Sequence, residues 1–348
     1  MAIPIQNIYY LLCYAWNKLD EKEKVQVDIE NSTQLLDLFA KVLISGSKRL
    51  LKRGIDRSYK DETLEIAGVK GKIEFGETIK RRLLYKKKTI CNFDEFSANI
   101  LLNQILLTTL YRLRSTKSLD KGLKDQLRNI SMMFGSIEMI TLTSSTFKQV
   151  RFNRNNKFYA FLINVCEIVY GNTLPTEEPG RFVFTDFTRD ERKMNQLFES
   201  FIRNFYKIEQ KEYTTVKKEG IKWNFTTTDR VSDRYLPGMD TDITLENETR
   251  KIIIDAKYYK ETMTSYYDTR RVHSNNLYQL FSYLLNQETP DIKTRSTTGI
   301  LLYPTIDKEY NLEYSYDNHL IQIKTVNLNA SWKNIESRLK QIIEIPFR

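Results

Sequence analysis

Asp242, Asp255 and Lys257 are the residues whose types and spacing suit a chemical task. Asp255-Ala256-Lys257 follows the apolar run Ile252-Ile253-Ile254, and Asp242 lies upstream across the polar stretch Glu246-Asn247-Glu248-Thr249-Arg250. Alternate residues of a strand point to one face, so Asp255 and Lys257 share a side and Ala256 turns away. A hairpin brings Asp242 beside Asp255. Two carboxylates and the Ala256 carbonyl then form part of an oxygen shell for a hard cation, Mg2+ or Mn2+. Such a cation polarises a phosphoryl oxygen and acidifies a bound water. Lys257 would orient that water and stabilise charge building on the phosphate. The chemistry is metal-dependent phosphodiester hydrolysis. Asp240 is the rival first acid, on the same face as Asp242. The bland alternative is a solvated hairpin with a surface Asp–Lys pair, a contact that contributes ~0–1 kcal/mol.

The elements around these residues read as a mixed α/β unit with a sheet between helices. A helix is expected over 191–206, its apolar stripe made by Met194, Leu197, Phe198, Phe201, Ile202 and Phe205. Glu199 lies off that stripe, either reaching the metal shell or facing solvent. Strands are expected near 213–216, 221–227, 240–245 and 251–258, then a helix over 276–286. There Gln279 and Tyr283, spaced i,i+4, are placed opposite Leu277, Leu280, Phe281 and Leu284, as a wet face or a row aimed at the site. A strand over 299–304, a pair within 310–326 and a helix over 332–343 complete the unit.

The first half reads differently. An apolar opening predicts a buried helix over about 7–19. It is too short to span a bilayer and lacks the flanks of a signal peptide, so a cytoplasmic protein without membrane association is expected. Helices follow over about 32–53, 97–113, 119–133 and 158–170. Between them, residues 59–92 alternate in polarity and carry Gly68, Gly71 and Gly76, the mark of a small β region. Basic clusters punctuate this half: Lys48, Arg49, Lys52 and Arg53, then Lys80-Arg81-Arg82 and Lys86-Lys87-Lys88. The loose connection after residue 170 sets the expected domains at 1–175 and 176–348.

Composition narrows the chemistry. With 54 Lys plus Arg against 44 Asp plus Glu, the 348-residue chain carries +10, which suits either a polyanionic partner or plain solubility. Cys13, Cys91 and Cys166 are scattered and odd in number, as buried thiols in a reducing compartment are. His273 and His319 are the only histidines, which makes a zinc site or a histidine-based triad hard to build.

The site arrangement resembles the PD-(D/E)XK nuclease superfamily. There the first acid begins the second core strand and (D/E)XK ends the third. Asp242 and Asp255-Ala256-Lys257 match those positions, with Thr241 where the pattern has Pro. Gln279 and Tyr283 are similar to the superfamily's Gln-xxx-Tyr helix, and Glu199 resembles the acid of its first core helix. The resemblance implies catalytic roles for Asp242, Asp255, Lys257 and Gln279. It implies metal-holding roles for Asp242, Asp255, Ala256 and Glu199.

The stretches Ile5-Gln6-Asn7-Ile8-Tyr9-Tyr10-Leu11-Leu12-Cys13-Tyr14-Ala15-Trp16, Gly68-Val69-Lys70-Gly71-Lys72-Ile73 and Cys91-Asn92-Phe93-Asp94-Glu95-Phe96-Ser97-Ala98-Asn99 are similar to the McrC family. That family is the nuclease subunit of modified-cytosine-dependent (5-methylcytosine) restriction systems. The resemblance implies a C-terminal PD-(D/E)XK endonuclease domain acting on double-stranded DNA. It also implies an N-terminal, mainly helical domain that docks on a McrB-like AAA+ GTPase ring and stimulates it. Residues 59–92 are then candidates for the ring-inserting part, or a basic surface for DNA phosphates. A Walker A sequence is absent from the chain, in keeping with a separate nucleotide-hydrolysing partner. The competing readings are a non-enzymatic activator of the partner NTPase that also binds DNA, and a stand-alone basic DNA-binding module.

Overall fold

This computed structural model describes residues 3–16, 34–154, 156–226, 232–259, 264–266 and 269–344. Of the strand expected over 221–227, only Ile221 is in a strand, Gly220–Ile221; residues 222–226 are not in a strand, and 227 lies outside the described residues, as do 17–19 and 32–33 of two expected helices. Two compact units emerge, Gln34–Thr185 and, separately, Met1–Thr33 joined with Asp186–Arg348. The sequence expectation of a division at 175/176 changes in two ways. The boundary lies ten residues later, and the opening helix belongs with the C-terminal half.

That opening helix is α1 (Ile5–Ala15), in which every residue from Asn7 to Tyr14 is buried. In the Gln34–Thr185 unit, α2 (Leu35–Arg53) buries Leu36, Phe39, Val42, Leu43 and Leu50 at helical spacing. Strand β1 (Ser58–Ala67) precedes β2 (Lys72–Ile73), α3 (Phe75–Lys80) and β3 (Lys88–Ser97), and β1 and β3 pair antiparallel along ten residues. The expected β region is therefore present, but Phe75 and Gly76 are helical. Helices α4 (Leu101–Arg114), α5 (Lys121–Met132), α6 (Ser144–Lys148) and α7 (Ala160–Gly171) follow, with the short hairpin β4 (Thr173–Pro175) and β5 (Phe182–Phe184).

A buried polar group roots the long β1/β3 hairpin. Asn103 Nδ2 donates to the carbonyls of Asp56 and Ala98, at 2.9 and 2.8 Å. The Tyr159 hydroxyl donates to Asn103 Oδ1 at 2.6 Å and accepts from the Asp56 amide at 2.9 Å. Backbone at both feet of the hairpin is thus satisfied inside the helical body, as buried polar groups must be.

The other unit is built on a mixed sheet. Its elements are α8 (Glu191–Glu209), β6 (Thr215–Lys217), β7 (Gly220–Ile221), β8 (Met239–Asp240), β9 (Ile243–Glu246), β10 (Lys251–Ala256), β11 (Thr264–Tyr266), β12 (Thr269–Arg271), α9 (Ser274–Asn286), α10 (Ile292–Arg295), β13 (Thr298–Thr305), β14 (Asn311–Tyr316), β15 (His319–Asn327) and α11 (Trp332–Ile343). The main sheet has the order β14-β15-β13-β10-β9-β6. β10, β13 and β15 run parallel; β9 pairs antiparallel with β10. All six residues of β10 are buried, as a central strand covered on both faces requires.

On one face α9 packs through Leu280, Tyr283 and Leu284 against Ile253, Leu301 and Tyr303. Gly299 permits this close approach, because a Cβ there would meet Leu284 Cδ1 at 2.9 Å. Helix α8 also packs on the central strands, and α1 packs on α8. The α1 contacts are specific. Tyr14 donates to Glu209 at 2.7 Å and stacks on Trp332 at 5.4 Å. Asn7 Nδ2 donates to the carbonyls of Leu328 and Ala330 at 2.8 and 3.0 Å. Asn204 Nδ2 donates to the Tyr14 and Ala15 carbonyls at the last turn of α1, orphan acceptors of a helix end. Among the described residues no helix is long and apolar enough to cross a membrane.

Candidate active site

Strand β10 delivers Asp255 at its C-terminal end, and the chain leaves the strand at Lys257. Asp255 is fully buried, so the solvated-hairpin alternative is excluded. Lys257 Nζ lies 3.0 Å from Asp255 Oδ1 and 3.4 Å from Asp242 Oδ2. The expected hairpin geometry holds: Ile254 of β10 faces Ile243 of β9, which follows Asp242 directly. Asp242 Oδ2 also accepts from the Ala256 amide at 3.0 Å. Ala256, expected to lend its carbonyl, here lends its N–H to fix the first acid. The ladder continues past the strand, with the Lys257 amide donating to the Leu302 carbonyl at 3.0 Å.

Asp242 is not on a continuous strand. The expected strand over 240–245 breaks at Thr241 and Asp242 into β8 and β9. Thr241 is buried, its amide donates to the Glu219 carbonyl at 2.9 Å, and its hydroxyl lies 2.9 Å from that of Thr244. The rival acid Asp240 faces outward, its carboxylate 57% exposed and 3.5 Å from Lys218.

Helix α8 lines the site with three residues at i,i+4 spacing. Asn195 accepts from the Tyr258 amide at 2.7 Å and donates to Glu199 Oε1. Arg203 donates to the Asp242 carbonyl at 3.2 Å. Glu199 is half-buried, and its carboxyl titrates above the ordinary range because of burial and then the nearby Asp242 charge. It does not close a cage: among the described residues no three His, Cys, Asp or Glu side chains converge to hold a metal by themselves.

Gln279 is exposed and donates to the Tyr283 hydroxyl at 2.6 Å; that hydroxyl donates to the Asp240 carbonyl at 2.8 Å. Tyr283 is not opposite the leucines, as either reading of the helix had it, since its ring is buried with Leu280 and Leu284. It lies i+3 from Leu280, the spacing of a shared face. Burial first, and Asp255 next, push its phenol up to about 12. Asn276, Tyr303 and Tyr259 form a linked group on the same side: Asn276 donates to Tyr303 at 3.0 Å and accepts from Tyr259 at 3.3 Å.

The charges do not balance. Burial, aided by Asp242 and Glu199 and opposed by Lys257, pushes Asp255 up to about 7. Burial alone would lower Lys257, but Asp255, Asp242 and Glu199 together hold it above the ordinary lysine range. Three carboxyl groups around one ammonium retain a proton that a divalent cation would replace. Asp255 Oδ2 is buried without a hydrogen-bond partner among the described residues. An orphaned anionic oxygen in a site of oxygen donors, without histidine or thiolate, fits a hard divalent cation.

Sequence reasoning missed Asn195 and Arg203. The signal was available: both sit four residues from Glu199 on one helix. His319, by contrast, is structural, buried between the Thr297 carbonyl at 2.9 Å and Glu288 at 2.8 Å.

Fold and site define a two-unit α/β protein with an Asp/Asp-X-Lys cluster at the end of a central strand. The chain belongs to the family described as McrBC 5-methylcytosine restriction system component, whose model matches residues 6–304. It is 33% identical over 343 residues to the type IV methyl-directed restriction enzyme EcoKMcrBC of Escherichia coli (strain K12), covering 99% of this chain and 98% of that protein. The fold is similar to a refined half-complex from the tetradecameric assembly of Thermococcus gammatolerans McrB AAA+ hexamers with bound McrC. That match has a TM-score of 0.58 at 20% identity, covering 98% of this chain and 76% of the other.

Proposed function

We propose that this restriction-system component is the DNA-cutting subunit, a Mg2+-dependent endonuclease of the PD-(D/E)XK type working with a McrB-like AAA+ GTPase ring. The observation that carries the reading is the buried Asp255, with one oxygen on Lys257 and the other unpartnered, beside Asp242. Asp242 and Asp255 would hold the cation, Mg2+ or Mn2+, with Glu199 and the Ala256 carbonyl as further donors. The cation, when bound, would polarise the phosphoryl oxygen and acidify a water. Lys257, kept protonated by its acidic neighbours, donates to oxygens that gain charge. Gln279, tied to Tyr283, is the candidate to orient substrate. A cytoplasmic setting, with duplex DNA as substrate, completes the reading.

The Gln34–Thr185 unit is proposed to dock on the ring. Supporting this, its hairpin region exposes Tyr59, Val69, Phe75 and Tyr85, the last 91% exposed, among the Lys80–Lys88 basic block. Asp255→Ala, assayed with the ring partner, should abolish DNA cutting and leave stimulation of the partner's nucleotide hydrolysis intact. Surviving cutting would overturn the site assignment.

A further inference from the structure

A ring pair outside the acidic cluster has no role in the fold that its exposure explains. Trp223 and Phe225 stack at 5.1 Å with planes 23° apart. Trp223 is anchored: it packs on the core cluster that holds Ile221, Met239 and Tyr283, and its indole N–H donates to the Pro237 carbonyl at 2.7 Å. The Asn224 amide donates to Asn286 of α9 at 2.8 Å. Phe225 stacks on this anchored indole yet is 62% exposed.

The pair is continuous with the proposed cutting site. β7 and β8 pair Gly220 with Asp240 and Ile221 with Met239. Trp223 lies three residues past Gly220, and Asp242 two residues past Asp240 in the opposite direction. Five residues of at most ~3.3 Å each set the two no more than about 17 Å apart along this direction, within about five base-pair steps of duplex. Lys218 and Lys222, on the same stretch of chain as the rings, are exposed; Arg234, three residues before the Pro237 that accepts the Trp223 N–H, is exposed as well, and Lys222 and Arg234 make no ion pair among the described residues.

We propose that Phe225, backed by Trp223, is a wedge that stacks on a base step of double-stranded DNA a few base pairs from the scissile phosphate, while Lys222 and Arg234 hold the flanking phosphates. The proposal rests on the reading of Asp242, Asp255 and Lys257 as the cutting site. An anchored aromatic face with exposed cations on the same stretches of chain matches nucleobase stacking with phosphate neutralisation.

The test uses the full chain carrying Asp255→Asn, which prevents cutting, and a duplex with 2-aminopurine at successive positions. Affinity is read by anisotropy across a salt series. Phe225→Ala should weaken binding about tenfold with no change in salt slope, and should abolish the 2-aminopurine response. Phe225→Tyr should retain both. Lys222→Ala should lower the slope by about one. Unchanged affinity and fluorescence in a folded Phe225→Ala chain would overturn the wedge alone, and full rescue by Phe225→Leu would overturn its stacking on a base. Cutting by the Asp255→Asn chain would instead sink the site reading, and is scored separately.

Discussion

Asp255 places a cost on folding that only a ligand removes. Its carboxyl titrates at about 7, against an ordinary 3.8. Between those values the folded chain keeps a proton that the unfolded chain has released, so stability falls as pH rises from about 4 to about 7. Asp255→Asn lacks this titration. Urea midpoints at pH 5 and pH 8 in EDTA should therefore differ more for the parent than for the variant, by on the order of 1–3 kcal/mol. Mg2+ at pH 8 should recover the loss in the parent only. Equal pH slopes in the two chains would show that folding does not raise the Asp255 carboxyl. Among the described residues Lys257 is the ammonium that pairs with this cluster. Lys257→Gln removes it and should eliminate cutting while increasing proton retention by Asp255, so that the variant's stability slope extends to higher pH than the parent's in the same urea series.

At the scale of elements, most of what holds the site was legible as pattern. The amphipathic stripe of α8 and the run Ile252–Ile254 specify a helix over a central strand, because only those periods bury those residues. α11 was read at its observed bounds. Two features were not legible. The break at Thr241 depends on hydrogen bonds to Glu219 and Thr244, partners that sequence spacing does not connect. Tyr283 was read as polar, whereas its ring is core and only its hydroxyl is wired to the site. The Asn195–Glu199–Arg203 row joins α8 to the acids, and its members orient groups at the site without carrying the pair Asp242 and Asp255. Asn195→Ala should therefore cost little stability, roughly 0.5–1.5 kcal/mol. It should raise the Mg2+ concentration needed for half-maximal cutting by about 10- to 100-fold. Titration of cleavage with Mg2+ reads the difference; an unchanged requirement would reduce the row to scaffold.

For the whole molecule, chain order and spatial order diverge, and this sets what each truncation removes. The opening helix reads from sequence as part of an N-terminal domain, since nothing in its composition names its neighbours. In the fold it completes the Asp186–Arg348 unit: Tyr14 lies against Phe201, Phe205 and Trp332, and Asn7 caps carbonyls beyond β15. A fragment of 186–348 alone would expose those aromatic rings, each losing up to about 1.5–3 kcal/mol of burial. Appending 1–33 through a flexible linker should restore a cooperative melt. Removing 59–92 should do the opposite. The hairpin is rooted by Asn103 and Tyr159 inside the Gln34–Thr185 unit, so its loss should leave the melting of the cutting unit unchanged. It should abolish stimulation of the ring's nucleotide hydrolysis and, with it, ring-dependent cutting. Calorimetry on the two truncations separates the outcomes. A cooperative, parent-like transition in 186–348 without the opening helix would refute its structural role. Retained stimulation after removal of 59–92 would move the docking surface elsewhere.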